Sequence, residues 1–220
     1  MERRIKFFTQ VEIEARIASL SVFLYGEGKA KVSFEGEERI VDLTEDGRRE
    51  DFFIVDVRLW NGKKDPNLYS FFVDDKEYRI GFRNFGIDRM RGFFLNGVAY
   101  PLIKDNTVIT EDVDVLDKCD KEGVVCAYLF SSNHVPTNSE VAILSSHPSL
   151  FFWGYRVENE SVEDLKRLNS ILYSLDKTRA TIGVFEKDSC CDSFDVGVIK
   201  EKKGEGKQVV ALRDGEGFIL

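Results

Sequence analysis

The sequence predicts a two-part fold: an immunoglobulin-like β-sandwich over residues 1–88, then an abbreviated TIM-barrel-like β/α domain over residues 89–220. Three observations lead there. The first part alternates apolar and polar positions in short runs separated by turn residues. After about residue 92 the period lengthens, and strand-like apolar runs alternate with helical ones. At 220 residues and 43% hydrophobic content, the chain has enough apolar material for a core in each part.

In the first part, "VEIEARIASL", "KAKVSF", "ERIVDL" and "KEYRIGF" each place apolar side chains on one face of a strand. "YGEGK", "FEGEE" and "EDGRRED" are the turns between them. Short strands at this spacing fit a sandwich of immunoglobulin size, whose apolar faces must cover each other. The paired phenylalanines of "DFFIV", "SFFV", "GFFL" and "LFFW" are read as core packing.

In the second part "GFFLNGVAYPLI" reads as one strand-like run. "TEDVDVLDKCDKEG" has helical spacing, with Thr110 as N-cap and Gly123 as C-terminal stop. "VVCAYLF" is a near-continuous apolar strand of the kind buried on both faces. "TNSEVAILSSHPS" is a short helix and "LFFWGYRV" the next strand. "SVEDLKRLNSILYSL" is the strongest helix, with Ser161 as cap, Glu163 and Asp164 in its first turn and an apolar stripe through Leu165, Leu168, Ile171, Leu172 and Leu175. "ATIGVFE", "FDVGVIKE" and "KQVVALR" are three further strands, joined by links too short for full crossover helices. A complete eight-unit barrel needs about 250 residues, so either an abbreviated barrel or an open, barrel-like sheet is expected.

Composition narrows the function. A formal net charge of −8 argues against nucleic acid as partner. No run reads as a membrane span or signal core, which makes the cytoplasm the default location. Cys119, Cys126, Cys190 and Cys191 form no C-x-x-C pair, and the two histidines stand far apart, so neither a metal site nor a cofactor is expected. Abundant charge and scarce glutamine lean toward a thermophile.

Several fixed points then fall in one order. "LWNGKKDPNLYSFFV", "IGFRNF", "FFLNG", "CDKEGVV", "HPSLFFWGYRVENES", "LYSLDKTRATIG" and "FDVGVI" together resemble glycoside hydrolase family 2, the retaining β-galactosidases, β-glucuronidases and β-mannosidases. The resemblance implies the end of the sandwich, the link into the barrel, the first barrel strand at "FFLNG", entry to the third strand, and the signature strand ending in Asn-Glu. It covers roughly residues 55–200 and is truncated, without the family's N-terminal jelly-roll domain. Between "FFLNG" and "CDKEGVV" the family carries a second barrel strand with an arginine and a histidine-tyrosine-proline element; the interval here implies that this strand is lost. "NHVP" at 133–136 resembles the element but lies out of order, and is read as coincidence.

The implied chemistry needs two carboxyl groups about 5–5.5 Å apart, one acid/base and one nucleophile. Glu160, within Asn159-Glu160, matches the acid/base, although it lies two residues farther from Trp153 than the family pattern; Glu158 holds the unshifted spacing. The late-strand nucleophile position falls near Arg213, and a guanidinium has no lone pair with which to attack. Glu216 is the replacement candidate, with Asp214 beside it. Asn159 and Trp153 are the implied substrate contacts. Read from the residues alone, Trp153 is core, and the two glutamates stabilise a helix N-terminus by about 0.3–1 kcal/mol.

Two functions follow. One is a catalytically impaired family 2 relative that binds carbohydrate or a protein partner; the other is an active β-glycosidase using Glu160 and Glu216. A lost strand would leave an exposed barrel edge, to be covered by a homodimer, a protein partner or the terminal "GFIL".

Overall fold

The computed structural model describes residues 4–88, 92–100, 107–156, 162–175, 183–186, 210–213 and 216–219. Seven strands form the predicted sandwich. One sheet has the order β1-β2-β5, built from Arg4–Glu12, Ile17–Tyr25 and Arg48–Val55. The other has the order β4-β3-β6-β7, from Glu37–Asp42, Lys29–Phe34, Tyr69–Val73 and Lys76–Ile80. Strand alternation sorts the doubled phenylalanines: Phe52 and Phe71 are buried, while Phe53 is 72% and Phe72 38% exposed. Phe7, Phe34, Phe52 and Phe71 meet edge-on or tilted at 5.5–5.9 Å between ring centres, making an aromatic core.

One predicted strand is two. "VEIEARIASL" holds the end of β1, a turn at residues 13–16 and the start of β2. The alternation hides the turn because both arms share its period. Arg16 takes a positive φ of 55° and donates its amide to the Ile13 carbonyl at 3.2 Å, closing the turn.

"GFFLNGVAYPLI" is likewise not one run. β8 (Phe85–Asp88), β9 (Gly92–Leu95) and β10 (Val98–Ala99) form a separate antiparallel sheet. Asn96 and Gly97, at φ 51° and 78°, make the two-residue turn between β9 and β10 that an Asn-Gly pair favours. "FFLNG" is therefore a hairpin and not the first strand of the parallel sheet. That first strand is β11 (Thr107–Thr110), inside the interval from which a strand was expected to be lost.

The parallel sheet has the order β11-β12-β13-β14-β15-β16. β12 (Val125–Ser131), β13 (Leu150–Arg156), β14 (Gly183–Glu186) and β15 (Val210–Arg213) continue β11 in parallel register. β16 (Glu216–Ile219), the "GFIL" segment, returns antiparallel along the edge of β15. α1 (Val113–Glu122) is capped by Asp112 rather than Thr110: the Asp112 carboxylate accepts the Asp114 amide at 2.9 Å. α2 (Asn138–Ser146) starts in a reciprocal capping box between Thr137 and Glu140. α3 (Val162–Leu175) matches its prediction, while its expected cap Ser161 and the strand "FDVGVIKE" lie outside the described residues. No helix among the described residues is long and apolar enough to cross a membrane.

A polar seam fixes the sandwich, the hairpin and the parallel sheet to one another. Trp60, fully buried in the loop after β5, donates its indole N–H to the Asp120 carbonyl of α1 at 2.8 Å. The Asn96 amide nitrogen donates to the Trp60 carbonyl at 2.9 Å and to Asn61 Oδ1 at 2.8 Å, and Asn96 Oδ1 accepts from the Asn84 amide. Arg83 donates to the Pro148 and Leu150 carbonyls at 3.2 and 3.1 Å and lies over the Phe85 ring. Burial pulls its guanidinium down to about 10, against the opposing pull of Asp120.

Gly123 closes α1 with φ 71°, and a Cβ there would lie 2.3 Å from the Gly62 backbone. Gly97 has a similar φ of 78° but open space around it. Gly97→Ala should thus cost about 1–2 kcal/mol of conformational strain alone, and Gly123→Ala about 3 kcal/mol or more from strain plus overpacking. Urea unfolding of the two variants measures the gap, and equal costs would show that the α1 seam is loose. Arg83→Ala leaves the Pro148 and Leu150 carbonyls without their donor and should cost about 2–3 kcal/mol. Arg83→Lys, lacking the fork that reaches both carbonyls, should recover less than half of that loss in the same assay.

Candidate functional site

The C-terminal ends of the parallel strands all reach one edge of the sheet. The register runs Ser131 to Arg156 to Glu186 to Leu212, with Arg213 opposite Glu216. Sheets of this kind gather ligand-binding loops at that edge, because the connections leaving the strands meet there.

Of the candidate residues, Glu158, Asn159 and Glu160 lie between β13 and α3, outside the described residues. Glu216 opens β16 at the C-terminal edge, across from Arg213. β13 and β16 are separated by β14 and β15. At about 4.8 Å per strand, three steps make about 14 Å along the sheet from the tip of β13 to Glu216.

Trp153 is described and lies elsewhere. It is 1% exposed, packs edge-on against Phe130 at 6.0 Å, and belongs to the core with Leu116 and Leu144 that joins the sheet to the helices. Among the described residues, Trp153 Nε1 and Tyr155 Oη are buried without a hydrogen-bond partner. Burial pushes the Tyr155 hydroxyl up to about 12, so it stays protonated at neutral pH.

Sequence reading passed over His134. It follows β12 directly, at the same strand edge, in the "NHVP" stretch taken as coincidence. The His134 ring stacks on Phe130 at 5.1 Å, and its Nε2 lies 3.0 Å from Glu140 Oε1. Glu140 in turn accepts from the Thr137 amide at 2.7 Å and hydroxyl at 2.9 Å. These bonds, led by the backbone one, and His134 hold the Glu140 carboxyl below the ordinary carboxylate range. The T-x-x-E spacing of residues 137–140 was the available signal, since a capping box fixes where a loop ends and so what precedes it. Arg167 of α3 reaches back to the Ser132 carbonyl at 3.5 Å, closing the β12 loop against α3. The result is a half-exposed histidine–carboxylate pair on an aromatic shelf, able to donate or accept hydrogen bonds toward a polar ligand.

No family model matches the chain, and no curated protein matches it. Solved structures do. A β-glucuronidase 3 of Bacteroides uniformis aligns over 86% of this chain and 33% of its own, with 15% identity and a TM-score of 0.65. A β-D-glucuronidase of Dictyoglomus thermophilum aligns over 86% and 44%, at 14% identity and a TM-score of 0.61. A glycosyl hydrolase family 2 member of Bacteroides cellulosilyticus aligns over 96% and 41%, at 17% identity and a TM-score of 0.61. The chain thus spans less than half the length of these structures, and over that span it shares the fold of family 2 glycosidases.

Proposed function

We propose that this chain is a glycoside hydrolase family 2-related protein that has lost catalysis and keeps a carbohydrate- or partner-binding role. On this reading residues 1–88 are the sandwich and 89–220 a reduced barrel domain. The supporting observation is Arg213 at the C-terminal end of β15, where the resemblance calls for a carboxylate nucleophile. A permanently protonated guanidinium cannot attack an anomeric carbon. The half-exposed His134–Glu140 pair on the Phe130 ring supports retained binding of a polar ligand over retained turnover.

One observation favours the active alternative: Glu216 stands at the same sheet edge as Arg156, the last residue of β13. Chromogenic β-galactoside, β-glucuronide, β-mannoside and β-glucoside separate the two readings. The expected result is no turnover above the blank with any of them. Turnover that disappears in both Glu160→Gln and Glu216→Gln would overturn the proposal and establish the active enzyme.

A further inference from the structure

At the opposite end of β13, before the strand begins, three metal-binding side chains meet. Asp117 and Asp120 lie one turn apart on α1, and His147 caps the end of α2. His147 Nδ1 is 2.7 Å from Asp120 Oδ2 and 3.7 Å from Asp117 Oδ1, and the three ligand atoms all lie within 4.8 Å of one another. Asp120 is 6% exposed and its other oxygen accepts the Ser149 amide at 2.9 Å, which fixes the carboxylate's orientation. His147 is 12% exposed and Asp117 is 68% exposed, so the cluster runs from the core to the surface. It borders a cavity of about 480 Å³ between α1, α2 and the sandwich, also lined by Phe7, Tyr78, Arg79, Lys121 and Ile143.

We propose that Asp117, Asp120 and His147 bind a divalent first-row transition ion of the zinc class, with the cavity leaving a further position for water or an anion. The proposal is independent of the glycosidase reading. Two carboxylates converge on a ring nitrogen whose single proton can serve only one of them. A divalent ion replacing that proton engages both and makes the set electrically neutral. With bonds of about 2.0–2.2 Å, donors around a tetrahedral ion sit about 3.3 Å apart. The observed 2.7 and 3.7 Å bracket that spacing: a small rotation of exposed Asp117 closes one distance, while a slight tilt of the His147 ring opens the other. An imidazole with two carboxylates suits zinc, cobalt or nickel better than calcium or magnesium, which favour all-oxygen shells. Lys121 and Arg79 on the cavity wall suit an anion as the outer ligand.

The full chain, stripped with EDTA and titrated calorimetrically with zinc chloride, is expected to take up about one equivalent. Asp117→Asn should weaken uptake at least about tenfold. Its unfolding curve without metal should match that of the parent, since Asp117 forms no other ion pair among the described residues. His134→Ala, which removes the other histidine, should leave uptake intact. Cobalt(II) absorption bands that vanish in His147→Gln give a second readout. No zinc uptake, or uptake unchanged in Asp117→Asn and lost in His134→Ala, would overturn the proposal.

Discussion

The hydrogen bond from the buried Trp60 indole to the Asp120 carbonyl is the contact on which the rest of the arrangement depends. It joins a sandwich loop to the first helix of the α/β layer. Asn96 then ties the β9–β10 turn to the Trp60 carbonyl, so three separate sheets share one polar junction. Each group in it is buried, and a buried group left without its partner costs about 1–3 kcal/mol. Sliding any one sheet would break several of these bonds at once. The Gly62–Gly123 approach and the Gly81–Pro148 contact leave no room for side chains at the same seam. Such close backbone contact makes the relative placement of the two halves a property of the fold rather than of a flexible link.

What the sequence revealed follows from what local physics controls. Helical spacing located all three helices, because one-sided burial writes itself into short periods. The doubled phenylalanines, read wholly as core, are split by strand alternation, which leaves Phe53 and Phe72 exposed. Local chemistry also fixed Gly123 as the α1 stop. Turns hidden inside a continuing pattern escaped, as at residues 13–16 and at Asn96-Gly97. Misreading that second turn had a larger consequence. With "FFLNG" counted as a barrel strand, the start of the parallel sheet was placed one element too early, ahead of β11. Contacts set by tertiary structure, such as Asp120 with His147 across 27 residues, left no trace in spacing at all.

The seam lies at the strand-entry side of the sheet, while the loops that would meet a sugar leave from the opposite edge. The junction and that edge lie at opposite ends of the strands, so the two are spatially separate. This separation accounts for a chain that shares the fold of family 2 glycosidases at only 14–17% identity. Glu140 serves both as helix cap and as partner of His134, which orders the β12 loop.

The most direct test is the distance between the Glu160 and Glu216 carboxyl groups, measured in crystals of the full chain. A separation well beyond about 5.5 Å is expected, leaving no retaining pair. A separation within about 5–5.5 Å, in one pocket at the strand edge, would contradict the claim that the fold has outlived its catalysis.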